Sequence, residues 1–236
     1  GRALSDDMLV QFGIGYAPDS WEMTRNWGRQ LGFSLEDMLS AGILTVKEEG
    51  APATSAYDRF RNRLMIPIPR DTGSVVAFGA RALQQDQQPK YLNSPETAIY
   101  SKSRTLYGLH LSKSAIRKAG YAVLVEGYLD LAQALQAGVT TAGASCGTAV
   151  NEQQMRLLKR FASKVIVSFD PDPAGAAAAA RSGELLLAGG MQVNVAVLDE
   201  GEDPDTCIRT HGGAYYVEKL RTSQPYLGYL LDREAA

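Results

Sequence analysis

The sequence predicts an α/β protein in which a parallel sheet flanked by helices follows a smaller, basic subdomain of mixed α+β character. Three observations predict it. After Ser112, short apolar runs alternate with helix-forming segments, the pattern of a parallel sheet. Before Ser112, capped helical turns and a hairpin pattern take the place of that alternation. The charge also segregates: Arg59 to Lys118 carries eleven Lys or Arg against three Asp or Glu, whereas residues 1–58 and 119–236 each sum to -5.

Residues 1 to about 56 read as short helices with turns, since SDDMLVQF opens on a capping serine and SLEDMLSAG pairs a serine with an acid and closes on glycine. LMIPIP and SVVAFGARAL then form a hairpin turning at Asp71-Thr72-Gly73. Residues 84–108, rich in Gln, Pro, Asn and Ser, read as an irregular loop. A helix from Ser112 to Ala119 ends at Gly120, and from there the order is strand Tyr121–Val125, helix Leu129–Gln136, strand Val139–Ala142, a helix opened by Asn151 with Gln154, strand Lys164–Phe169, helix Ala174–Ala188 and strand Gln192–Leu198. The pattern divides the chain into an amino-terminal subdomain at 1–111, an α/β domain at 112–222 and the start of a helical segment at 223–236.

With 236 residues, 45% hydrophobic and 21% charged, the composition is that of a globular protein rather than a disordered or fibrous one. No apolar run reaches the roughly 18 residues a membrane helix needs, so a cytoplasmic protein without membrane contact is expected. Cys146 and Cys207 lack partners at zinc-ligand spacing, so neither a zinc site nor a disulfide framework is expected in this piece. The sequence enters at GRALSDDM without a methionine, which suggests an excised part of something longer.

Acidic residues concentrate at the carboxyl ends of three predicted strands: Glu126 and Asp130, Asp170 and Asp172, Asp203 and Asp205. Open parallel sheets bind ligands along that edge. Carboxylates gathered there repel unless cations compensate, and divalent metal with phosphate is the natural company. A lone DxD is weak evidence, but SFDPDPAG at a strand-to-helix turn, downstream of a strand ending in VEGYLD, is far more specific.

VEGYLD, SFDPDPAG and EGEDPDT together resemble the Toprim fold of primases, topoisomerases and some nucleases. FRNRLMIPI, VVAFGAR, PKYLNSPET and YGL are similar to the amino-terminal subdomain of the catalytic core of DnaG-type bacterial primases, so the resemblance spans nearly the whole chain. Pro171, Pro173 and Cys146 depart from the family's usual residues.

The resemblance implies template-directed synthesis of short RNA primers on single-stranded DNA. It implies Glu126, Asp170 and Asp172 as the catalytic group, with Asp130, Asp203 and Asp205 completing a magnesium site that manganese can also fill. For nucleic acid and nucleotide contacts the candidates are Arg59, Arg61, Arg63, Arg81, Lys90, Asn93, Lys102 and Tyr128, with Arg2 added by resemblance; Gly147-Thr148 is a further phosphate candidate. His110 and His211 are expected to be structural or surface residues. Ribonucleoside triphosphates and a single-stranded template are the expected partners of a monomeric core in the bacterial replisome. A zinc ribbon before Gly1 and a helicase-binding module after Ala236 are expected elsewhere in the full protein.

Three rival readings weaken on the same residues. An aspartyl phosphatase usually continues its DxD with threonine, where Pro173 stands here; a topoisomerase needs a nucleophilic tyrosine on another domain; and a non-catalytic DNA adaptor has no need of all six carboxylates.

Overall fold

The computed structural model describes residues 3–146 and 149–234, so the candidates Arg2 and Gly147-Thr148 lie outside the described residues. The chain forms two compact units, one of residues 9–69 and 74–102, the other of residues 1–8, 70–73 and 103–236.

The amino-terminal elements begin with α1 (Asp6–Phe12), β1 (Gly15–Ala17), α2 (Met23–Gln30) and α3 (Leu35–Ser40). Ser34 caps α3 by accepting from the Asp37 N–H at 3.0 Å. The two-residue strands β2 (Leu44–Thr45) and β3 (Tyr57–Asp58) pair antiparallel. The predicted hairpin is β4 (Arg63–Pro69) against β5 (Val75–Ala82), and the left-handed φ of 98° at Gly73 makes its turn possible. Added to the hairpin are β1 on one side and β6 (Tyr91–Asn93) on the other, giving the order β1-β4-β5-β6. Both fall in segments expected to be helix-and-turn or loop: strands of three residues are too short to show alternation, and their partners are remote in sequence. Phe60, Ala80 and Ala17 form the small core beneath this sheet.

In the second unit α4 (Leu109–Ala119) starts earlier than expected and ends at Gly120, whose φ is 77°. Then come β7 (Tyr121–Val125), α5 (Tyr128–Gln136), β8 (Ala142–Ala144), α6 (Glu152–Lys159), β9 (Lys164–Val167), α7 (Pro173–Ala188) and β10 (Gln192–Val195). The second of these strands sits three residues later than the sequence suggests. Val139 is taken up in closing α5 through its N–H to the Ala134 carbonyl, and the small residues Ala142-Gly143-Ala144 pair with Val123–Val125 instead. The Asn151–Gln154 capping box is present at the start of α6. The chain finishes with α8 (Pro204–His211), α9 (Gly213–Arg221), β11 (Gln224–Pro225) and α10 (Tyr226–Glu234).

The sheet order is β11-β10-β9-β7-β8, with β10, β9, β7 and β8 parallel. Near-continuous Val, Leu and Ile along β7 and β9 fit a sheet covered on both faces. Ala122, Leu124, Val165 and Val167 point into a core shared with Ile116 of α4, Leu158 of α6 and Leu186 of α7. Val123 and Val125 are also fully buried. No helix among the described residues is long and apolar enough to cross a membrane.

Helix α10 docks on α7 through Tyr226, whose hydroxyl donates to the Ala180 carbonyl at 2.7 Å while its ring lies where a Cβ on Gly183 would come within 2.2 Å. Gly183→Ala should therefore destabilise the protein by about 1–3 kcal/mol through overpacking, read as a lower urea midpoint.

Candidate active site

Every one of the six predicted carboxylates lies at the carboxyl-terminal edge of the parallel sheet or at the helix start that follows it. Three are bound into helix N-termini. Asp130 accepts from the Gly127 N–H at 3.0 Å at the head of α5, Asp172 from the Gly175 N–H at 2.7 Å at the head of α7, and Asp203 from the Thr206 N–H at 2.6 Å at the head of α8. Three helix dipoles thus aim their positive ends at one acidic edge. Glu126, directly after β7, accepts the Asp170 N–H at 3.1 Å, tying the ends of β7 and β9 together.

The charges still repel. Burial first, then Asp170 and Asp203, push the Asp130 carboxyl up to about 7; burial, then Glu126, Asp203 and Asp172, push Asp170 up to about 7. Glu126 is raised mainly by its burial, against the stabilising Asp170 N–H. Asp170 Oδ1 is buried without a hydrogen-bond partner. Asp205 differs from the other five: it is fully buried, pairs with Arg209 at 3.1 Å, and its own N–H supports Asp130. The Asp205–Arg209 spacing of four residues on a helix was visible in the sequence, but its pairing was missed.

Gly175 was quoted only as part of a motif, yet it sets the geometry. A Cβ there would lie 2.2 Å from the Asp170 carbonyl oxygen and 2.6 Å from Glu126 Oε1. Glycine lets the head of α7 approach the Asp170 carbonyl and the Glu126 carboxylate.

The carboxylates are spread more widely than a closed metal cage. Among the described residues, the trio whose ligating atoms all lie within 4.8 Å of one another is Asp199, Glu202 and His211, just before and along α8. There Lys219 already pairs with Asp199 at 2.8 Å, and Glu202 with His211 at 3.0 Å.

The basic candidates lie in the amino-terminal unit, and three of them, Arg59, Arg61 and Arg63, line a groove of about 460 Å³ together with Asn62, Asp86 and Gln87. Arg61 lies over the Trp21 ring at 3.8 Å and donates to the Asp58 carbonyl. Arg59 donates to the Asn93 carbonyl at 3.1 Å, and Arg81 sits half-buried in β5 opposite Tyr91. Lys90 is exposed, and Lys102 lies half-buried in a short 3-10 turn.

Two expectations need correction. Arg63 is only 4% exposed and spends its guanidinium on the Pro89 and Gln88 carbonyls at 2.7 and 3.2 Å, so it anchors the groove's loop wall rather than reaching phosphate directly. Tyr128 is 5% exposed, with its ring edge-on to Tyr107 at 4.7 Å, so no base can stack on it. An apolar core partner outcompetes a wet surface for such a ring.

Comparison with known proteins supplies the context. Residues 1–113 match the family model described as "DNA primase catalytic core, N-terminal domain", and residues 123–208 match "Toprim-like". A DNA primase of Clostridium acetobutylicum is 36% identical over 233 residues, 98% of this chain and 38% of that protein. The RNA polymerase domain of Mycobacterium tuberculosis primase DnaG superposes with a TM-score of 0.89 at 34% identity, covering 100% of this chain and 77% of that one. A DnaG primase catalytic domain bound to single-stranded DNA superposes with a TM-score of 0.85 at 36% identity, covering 98% and 72%. The chain spans little more than a third of the length of its curated relatives.

Three outcomes follow for the metal-free chain. Because folded Asp130 and Asp170 bind protons that unfolded carboxyls release, stability in chelator should fall as pH rises from about 4 to about 7. Asp170→Asn should flatten that fall and raise the unfolding midpoint at pH 8 by about 2–4 °C, equivalent to about 1 kcal/mol, in a calorimetric scan. Gly175→Ala should instead lower the midpoint.

Proposed function

The chain belongs to the DnaG-type bacterial primases, and we propose that it is their polymerising core, joining ribonucleotides into short primers along a single-stranded DNA template. The observation that carries this is the acidic edge itself: carboxylates raised by burial and then by mutual repulsion, a buried Asp170 oxygen without a partner, and three helix N-termini turned toward them. An all-oxygen donor set of this kind fits a hard divalent cation.

Glu126, Asp130, Asp170, Asp172 and Asp203 would hold magnesium, with manganese able to substitute, and Glu126, Asp170 and Asp172 would form the catalytic group. When bound, the cation supplies charge neutralisation and Lewis acidity to the phosphates of a ribonucleoside triphosphate. Asp205 acts behind the others, its N–H holding Asp130 and its carboxylate neutralised by Arg209. The Glu126 contact to the Asp170 N–H keeps the two strand ends in register, so both carboxylates meet the same ligand.

Template contact falls to the basic unit, where Arg59, Arg61, Arg81, Lys90, Asn93 and Lys102 would meet backbone phosphates and incoming nucleotides. The single-stranded DNA bound to a similar catalytic domain supports this assignment. Start-site choice and coupling to a replicative helicase would belong to parts of a longer protein working in the cytoplasm.

Purified chain with magnesium, ribonucleotides and a single-stranded template should make short RNA. Asp170→Asn or Glu126→Gln should reduce synthesis at least about 1000-fold while template binding persists; full synthesis by Asp170→Asn would refute the metal assignment. Arg61→Gln and Lys90→Gln should each weaken binding and flatten the salt dependence of log K by about 0.7.

A further inference from the structure

The opposite edge of the same parallel sheet carries a second charged surface of the other sign. Helices α4, α6 and α7 run antiparallel to the strands, so their carboxyl ends and the turns at Gly120, Ser163 and Gly189-Gly190 collect where β7, β9 and β10 begin. The turns are laced together: the Ser163 N–H donates to the Gly120 carbonyl at 3.3 Å and the Gln192 N–H to the Ser163 carbonyl at 2.9 Å. Lys164, opposite both Tyr121 and Gln192 in register, opens β9 in the middle of this edge.

Arg117 at the end of α4 and Arg160 just after α6 converge on one ring, with their guanidinium carbons 5.2 and 5.4 Å from the Phe161 centroid. Lys118 and Lys164 flank them. The segments that build the edge, residues 105–125, 153–169 and 185–198, contain no Asp or Glu at all. Among the described residues none of these four cations has an ion pair, whereas Lys159 is engaged with the Gly189 carbonyl at 2.6 Å. Complementing helix dipoles calls for a cation or so at each helix end, but not for two guanidiniums crowded on one buried ring. Like charges held together on a rigid aromatic support are preorganised for a polyanion.

We infer that this edge is a second contact for the backbone of a single-stranded nucleic acid, in addition to the basic groove. A protein partner is less suited, because interfaces between proteins centre on apolar residues and the large apolar side chains exposed at this edge, Tyr121 and Leu187 at 36% and 41%, stand among its cations. Dispersed Arg and Lys without apolar anchors are the usual footprint of phosphate contacts. The inference rests on the proposed function only for the choice of ligand, and its test omits metal and ribonucleotides so that binding is judged apart from primer synthesis.

The test compares labelled oligothymidylates of about 8 and about 30 nucleotides on the parent chain, on Arg117→Glu/Arg160→Glu and on Arg117→Gln/Arg160→Gln, with the unfolding midpoint of each recorded. The longer strand should bind the Glu variant about tenfold more weakly, and the Gln variant should lose about 1.4 from the slope of log K against log salt, with a smaller loss for the shorter strand. The Gln variant keeps the reading intact should charge reversal unfold the chain. Equal affinity and slope for the longer strand across parent and folded variants would overturn the inference. So would a parent that binds neither strand, or one that prefers polyglutamate to DNA and loses that preference in the variants, which would assign the edge to an acidic protein.

Discussion

Everything in the larger unit is arranged around the cost of placing acidic side chains on one edge of a sheet. The fold limits that cost locally with three helix N-termini, each giving a backbone N–H to an aspartate: Gly127 to Asp130, Gly175 to Asp172, Thr206 to Asp203. It leaves the remainder uncompensated, as the raised Asp130 and Asp170 carboxyls show. A site that stores repulsion in this way has a standing affinity for cations.

Close approach makes the arrangement possible. Gly175 brings the first turn of α7 onto the Asp170 carbonyl and Glu126, and further along the same helix Gly183 receives the Tyr226 ring. An alanine-rich helix with glycine at these two points packs nearer to its neighbours than a Leu-rich one can. The site geometry and the docking of the last helix therefore draw on the same run of small residues.

In the amino-terminal unit positive charge is held rather than simply displayed. Arg63 and Arg59 give hydrogen bonds to carbonyls of the segment that walls the groove, and burial lowers the pKa of both. Arg61 rests on Trp21. Guanidiniums can do this because each has five donors: one or two fix the loop while the charge remains at the groove.

The sequence by itself determined the alternation of strand and helix after Ser112, the hairpin around Gly73, the family resemblance, and the placement of six carboxylates at strand ends. Each of these is written in neighbouring residues: apolar periodicity, a turn glycine, an acid directly after a β-rich run. Tertiary structure alone decided that Tyr128 turns inward onto Tyr107, that Arg63 faces the loop at Gln88-Pro89, that β1 and β6 join the hairpin, and that Asp205 is neutralised behind the others. It also brought Arg117 and Arg160, far apart in sequence, onto one phenylalanine. The physical reason is the same throughout: periodicity and capping act over a few residues, whereas burial and pairing depend on which distant segment the chain folds against.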